Sequence, residues 1–387
     1  MLIFGSSKLL HQVVVSFYMG KKIVLCLDGT GNSFDKVYAQ SNVAKLYSSL
    51  QIDAGQVGYY HPGVGTMGDP MARTRIGKEW SRLKGLAFGR GLLPNVGDAY
   101  RYLMDTYVDG DEIYLFGFSR GAYTARVLAS LIHVFGLLCA GNHGLIPYIL
   151  AMYSKTSRQL KGQKQTFEPD EAFKFQFSHR NNVVIHFCGL WDTVSSYGWF
   201  LNPIQLPFLG VNPIIRTGRQ AISIHERRCF YRDNCWGKPS SGQDIRQVWF
   251  LGVHSDVGGS YREQTGGLSK IALEWMMVEA SRAGLQLNEV KAKIVLGKCW
   301  AYPRLLHLPA YSWPDRNAKL HESLGGPWWL LEYLPRREES AVGANWIIPR
   351  GRSRAIPPDS LIHASVTESK HVSPLPASYT VEPWVVF

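Results

Sequence analysis

Residues 112–127 read EIYLFGFSRGAYTARV, and this stretch narrows the folds open to the chain more than any other. An apolar run, Ile113-Tyr114-Leu115-Phe116, stops at Gly117-Phe118-Ser119-Arg120-Gly121. Small or helix-forming residues follow at once, among them Ala122, Ala125 and Leu128. Gly-x-Ser-x-Gly between a strand and a helix predicts a tight turn with the serine at its apex. So sharp a turn admits only glycine two residues before and two after that serine. The first helical N–H groups then point at whatever bonds to the hydroxyl. Ser119 is therefore a candidate nucleophile, set against the plainer reading of an ordinary strand–helix turn.

The rest of the chain repeats the alternation of strand and helix. KIVLCLD (22–28) is a continuous apolar run, the pattern of a central parallel strand, and it ends in the turn cluster Asp28-Gly29-Thr30-Gly31-Asn32. A short helix is expected over 42–50, a strand over 57–66, a long Gly- and Arg-rich loop over 66–91 and an amphipathic helix over 92–107. Residues 183–191 read as a strand ending at Asp192, and 213–230 as a helix. A last strand over 247–259 runs into a glycine-rich loop carrying His254, and 268–284 is an amphipathic helix with a glycine stop. This order predicts an α/β fold of the α/β-hydrolase type, a mostly parallel sheet flanked by helices. Residues 21–284 form the expected core. Residues 1–20 read as an N-terminal extension, with Met19 an alternative start. Residues 285–387, rich in proline, glycine and tryptophan, read as a C-terminal cap or extension packed on the core.

Ligands of open α/β sheets bind beyond the carboxyl ends of the strands. Four strands here end in reactive or titratable residues: Asp28, Ser119, Asp192 and His254. A serine needs a base to take its proton and an acid to hold that base in the right tautomer. Ser119, Asp192 and His254 supply those roles in the chain order Ser…Asp…His, the order of α/β-hydrolases. Asp256 and Asp28 are rival acids; both are also candidates to support their own loops. An oxyanion would need two donors. The backbone N–H of Arg120 is one, and Gly29 or Thr30 in the loop after the first strand is the other. That loop could also be a plain turn or a phosphate cradle, but no Walker lysine follows it.

Composition removes several classes. The formal net charge of +12 favours anionic partners, a membrane surface among them. No recognition-helix or zinc-finger pattern accompanies the charge, and the clusters at Arg336-Arg337 and 350–354 read as surface attraction, so no nucleic acid partner is expected. Six cysteines without paired spacing and scattered histidines predict neither a disulfide framework nor a metal site. No apolar run reaches about 18 residues, and the N-terminal stretch lacks the marks of a signal peptide. Cytosolic synthesis follows, with export free of a cleavable signal or peripheral membrane association left open. Between Pro327 and Pro335, Trp328-Trp329-Leu330-Leu331 with Tyr333-Leu334 suits either lipid contact or packing of the tail on the core.

Seven stretches together resemble a known family. They are LDGTGN (27–32), SNVAKL (41–46), YYHPGVGT (59–66), DEIYLFGFSRGAYTARVLASLI (111–132), GLWDTV (189–194), VWFLGVHSDVGGSY (248–261) and LIHASV (361–366). The chain resembles the uncharacterised α/β-hydrolase-domain family that includes phospholipase effectors of the bacterial type VI secretion system. The resemblance implies a serine esterase fold with Ser119, Asp192 and His254 as its triad, no cofactor, and glycerophospholipid substrates in the effector members. For an effector it also implies an immunity protein as partner. The usual acidic pair before the histidine strand is His225-Glu226 here, expected on a helix and bonded locally. Three functions follow: a phospholipase acting on acyl esters, an esterase of small soluble acyl substrates, and a non-catalytic domain binding a partner or an anionic surface.

Overall fold

A strand that is apolar on both faces has to be covered on both. The apolar runs meet this requirement as β1 (Lys22–Leu27), β2 (Gln56–His61), β3 (Glu112–Phe118) and β4 (Ile185–Trp191) of one sheet. The sheet continues through β5 (Ile215–Ser223), β6 (Asp244–Phe250), β7 (Ser360–His363) and β8 (Tyr379–Glu382). Its order is β8-β7-β6-β5-β4-β3-β1-β2, and its pairings are parallel. The computed structural model describes residues 20–29, 32, 39–63, 92–159, 171–194, 198–199, 202–203, 208–299, 311–326, 328–340 and 343–387. The loop expected over 66–91 lies outside them.

Alternation along each strand divides the apolar residues between two cores. Ile23, Leu25, Ile113 and Leu115 pack against α2 (Leu92–Thr106), α3 (Arg120–Phe135) and α4 (Ile146–Gln159). Val24, Cys26, Tyr114 and Phe116 face the other way, with α1 (Asn42–Ser48), α5 (His254–Gly258) and α6 (Gly267–Arg282). The connection leaving β1 therefore runs to one face of the sheet, and the one leaving β3 to the opposite face. Neighbouring strands whose connections diverge in this way leave a crevice at their carboxyl ends. Gly29 closes β1 and Ser119 closes β3, so both stand at that crevice.

Three expectations need correction. Residues 215–223 form a buried strand, where a helix was expected over 213–230. Polar residues in this strand hide the period of two: Arg219 is buried because Glu279 and Asp244 each pair with it at 2.6 Å. Gly218 belongs to the strand because a Cβ there would lie 2.6 Å from Ile245. Next, the glycine-rich loop around His254 contains the helical turn α5. Finally, α6 is buried on nearly every side from Gly267 to Ala280, being enclosed by the sheet, α1 and the C-terminal segment, and is not amphipathic. That C-terminal segment supplies β7 and β8 to the sheet itself, with Leu361 and Ile362 in register with Val248 and Trp249.

Candidate active site

The elbow at Ser119 is as tight as its glycines suggest. Ser119 has φ 58° and ψ −120°, a conformation costly for a residue with a side chain. A Cβ on Gly117 would come within 2.6 Å of Ala122 backbone, and one on Gly121 within 2.1 Å of the Leu27 carbonyl. Helix α3 therefore begins against the end of β1, and its first N–H groups have no acceptor within the helix itself. Ser119 N–H donates to the Trp191 carbonyl at 3.0 Å, which fixes the elbow to the end of β4.

Asp192 follows that strand with φ 40°. Its N–H donates to the Ala221 carbonyl at 2.8 Å, and Trp191 is held in turn by the Ala272 carbonyl of α6. Asp192 Oδ2 lies 2.6 Å from His254 Nδ1. A carboxylate can only accept, so Nδ1 carries the proton and Nε2 keeps its lone pair. The imidazole sits between Phe118, with ring centroids 4.6 Å apart, and Tyr231, edge-on at 4.7 Å. Phe118 is the residue before Ser119, so the base and the elbow share a wall. Of the acids weighed from sequence, Asp192 is the one brought to His254.

The rivals are engaged elsewhere. Asp256 accepts from the Val253 and His321 N–H groups and pairs with His321 Nδ1 at 2.6 Å. Asp28 is buried and accepts from Gly29 N–H, Asn32, Ser41 and Tyr60. It anchors the loop after β1, and through Ser41, which caps α1, it ties that loop to the neighbouring helix. Asn42 continues the link by donating to the carbonyls of Val257 in α5 and Ser269 in α6. The SNVAKL stretch thus joins the loop after β1 to the turn that carries His254.

The expected oxyanion donors divide three ways. Gly29 abuts the elbow, since a Cβ on it would lie 3.2 Å from Ser119 Cβ. Its N–H, however, donates to Asp28 Oδ1 at 2.6 Å, because a carboxylate next in the chain is the strongest acceptor in reach. In this arrangement that N–H is turned from an oxyanion. Thr30 lies outside the described residues. Arg120 keeps its place as the first residue of α3, with its guanidinium buried and its pKa lowered to about 10 by desolvation.

Two further groups control the charge of the site. Arg354 grips Asp192 with both terminal nitrogens, Nη1 to Oδ1 at 2.5 Å and Nη2 to Oδ2 at 3.1 Å. Glu226 follows β5 and accepts from His254 N–H at 3.2 Å, from Ser323 and from the backbone and side chain of Arg228. It bonds locally to Arg227 and Arg228, as expected, but it lies on no helix and also bonds across the chain to His254 and Ser323. Burial alone would raise the Asp192 carboxyl, but Arg354 and His254 outweigh it and hold it well below the usual carboxylate range. Burial pushes His254 down, and its bond to Asp192 offsets that only in part. Sequence reasoning placed Arg354 in a surface cluster; it is 4% exposed. Nothing in a short Gly-Arg-Ser-Arg run distinguishes a buried arginine from a solvated one.

The aromatic tail cluster does two things. Trp328 in α7 (Trp328–Glu332) packs on Tyr231 at 5.6 Å and faces Arg228. Leu330, Tyr333 and Leu334 remain exposed, as do Trp346 and Ile348 nearby in the chain. Among the described residues no group of three or more histidines, cysteines or carboxylates could hold a metal, and no helix is long and apolar enough to cross a membrane.

An all-parallel α/β sheet with an elbow serine at the switch point defines the class to which the chain can be assigned. Residues 21–279 match the family model of the type VI secretion phospholipase effector Tle1-like catalytic domain, and the chain belongs to that family of phospholipase-type hydrolases. An uncharacterized protein of Saccharomyces cerevisiae is 36% identical over 225 residues, covering 56% of this chain and 33% of that protein. The chain thus spans about a third of the length of this curated relative. Among solved structures, an uncharacterized protein from Pseudomonas aeruginosa aligns over 76% of this chain and 49% of its own, at 19% identity and TM-score 0.42. A Tle1 effector bound to the VgrG spike of the type 6 secretion system aligns over 65% of this chain and 53% of its own, at 19% identity and TM-score 0.34.

Proposed function

We propose that the chain is a serine esterase that cleaves acyl esters of phospholipids. The observation that carries this reading is the 2.6 Å bond between Asp192 and His254 beside a strained serine elbow. Ser119 Oγ adds to the acyl carbonyl while His254 Nε2 takes its proton. The tetrahedral adduct collapses, the acyl C–O bond breaks, and the departing alcohol receives that proton. Water, deprotonated by the same nitrogen, then attacks the acyl-enzyme, releasing fatty acid and restoring Ser119. Asp192 keeps the tautomer and stabilises the imidazolium. The N–H of Arg120 is the proposed donor to the oxyanion. No metal or cofactor enters any step.

The lipid substrate is supported by family membership and by the apolar surface at Leu330, Tyr333 and Trp346, close in sequence to Trp328 at the site. The net charge of +12 suits an anionic membrane. As an effector the protein would be carried out of the cell by a spike protein and would be matched by an immunity protein. Incubating the protein and its Ser119→Ala form with mixed anionic and zwitterionic phospholipid vesicles tests the substrate. Release of fatty acid and lysolipid by the wild type alone is expected. Hydrolysis of short-chain soluble esters with no gain on vesicles would replace this reading with a small-substrate esterase. Failure of a fluorophosphonate to label Ser119 would replace it with a non-catalytic binding domain.

A further inference from the structure

We propose that Arg354, delivered by the C-terminal segment, is a positioning residue of this site that fixes the Asp192 carboxylate and limits its pull on the proton of His254. The inference rests on the serine-esterase reading above. Arg354 lies beyond residue 279, where the match to the family's catalytic domain ends.

The guanidinium is held as well as holding. Nη1 also donates to the Ser223 hydroxyl at 2.8 Å and the Ser223 carbonyl at 3.1 Å. Nε donates to the Tyr231 carbonyl at 3.1 Å, and Nη2 bonds the same oxygen. All three of its nitrogens are thus engaged. The segment that carries it is pinned at Gly351, whose N–H donates to Glu332 at 3.0 Å and whose carbonyl accepts from Arg227 at 2.9 Å. A fork fixed at its base can orient a carboxylate in a way a single flexible ammonium cannot.

Asp192 Oδ2 is shared. It accepts from His254 Nδ1 at 2.6 Å and from Arg354 Nη2 at 3.1 Å, while Oδ1 takes Arg354 Nη1 and the Ser223 N–H at 2.8 Å. Charge given to the arginine is charge withheld from the imidazole. The charged groups bonded to His254 or to its immediate partners are Asp192 and Glu226, balanced by Arg354 and Arg228, with Asp233 farther out at 4.0 Å from Arg354 Nε; Phe118 and Tyr231 supply the walls. Among the directly bonded groups two carboxylates and two guanidiniums balance while His254 is neutral. Removing Arg354 leaves one uncompensated negative charge, which favours the imidazolium and takes the free base away at neutral pH.

The test is the pH dependence of fluorophosphonate labelling of Ser119 in wild type, Arg354→Met and Arg354→Lys. In Arg354→Met the acid limb is expected to move up by about 1 pH unit, and the plateau rate to fall about 10- to 100-fold as the carboxylate loses its seat. Arg354→Lys restores the limb through its charge but not the plateau, because it lacks the fork. A limb in Arg354→Met that coincides with wild type overturns the proposal. Should Arg354→Met fail to fold, a plateau in Arg354→Lys equal to wild type overturns it instead. Wild type that is never labelled overturns the esterase reading, not this one. The titration of His254 by NMR in a Ser119→Ala background still judges Arg354, since the midpoint must rise in Arg354→Met whether or not the site turns over.

Discussion

The molecule contains two aspartate–histidine pairs of the same length and opposite character. Asp192–His254 and Asp256–His321 are both 2.6 Å apart. His254 is buried between Phe118 and Tyr231 beside the elbow, and its aspartate is backed by Arg354. His321 is stacked on Tyr261 at 3.8 Å, its side chain 14% exposed, and its aspartate is backed by backbone N–H groups. The electrostatic result differs in sign. Burial, only partly offset by its hydrogen bonds, leaves Asp256 above the usual carboxylate pKa, whereas Arg354 takes Asp192 below it. A dyad is therefore defined less by its own distance than by what stands behind the acid and in front of the base.

The largest effect that separates the pairs is catalytic. Asp192→Asn keeps the shape but permits the wrong tautomer of His254, and should lower kcat by about 10³- to 10⁴-fold. Asp256→Asn should leave kcat within the same order of magnitude. Steady-state rates on a phospholipid vesicle or an activated ester measure both. Equal losses would end the distinction and make Asp256 part of the reaction.

A smaller effect concerns where the base titrates. Burial holds the pKa of His254 below the ordinary 6.5, so the imidazole is neutral at pH 7. A base works deprotonated, and the acid limb of kcat/KM should therefore fall below pH 6.5 in wild type. The limb should stay there in His321→Ala, since His321 belongs to the other pair. A limb above pH 6.5, or one that moves with His321, would show that the burial of His254 does not set its protonation.

Ser119 is legible in the sequence because Gly117 is forced by a contact local to the elbow, the 2.6 Å approach to Ala122 backbone, and Gly121 completes the same short motif although its own constraint, at 2.1 Å from the Leu27 carbonyl, comes from β1. The apolar strands β1, β3 and β4 are legible because burial on both faces leaves a continuous run. Their neighbour β5 is not, since Arg219 and Gln220 owe their burial to Glu279, Asp244 and Asn234, partners remote in the chain. Chain order favours Asp192 over Asp28 and Asp256 as the acid, but the partners each one takes stay hidden. Each ends a strand or follows a turn, and nothing local reveals those partners. Arg354 could not be read at all, for its role depends on a segment that returns to the site from beyond the core.

The smallest effect is on stability, and there the two pairs should move in opposite directions with pH. Asp192 has a folded pKa below its unfolded one, so its ionised form stabilises the fold above the unfolded value, and this is lost as pH falls through the folded value. The stability gap between wild type and Asp192→Asn should accordingly shrink as acid is added. Asp256 has a folded pKa above its unfolded one, so its contribution is fully present below the unfolded value and lost as pH rises through the folded value. The gap between wild type and Asp256→Asn should grow as pH falls from the folded value to the unfolded one, a window just above the one in which the Asp192 gap shrinks. Urea midpoints at a series of pH values for the three proteins measure both slopes. Two gaps that change in parallel would mean that the Arg354 fork does not govern the charge of Asp192, and the contrast between the pairs would reduce to which of them lies beside a serine.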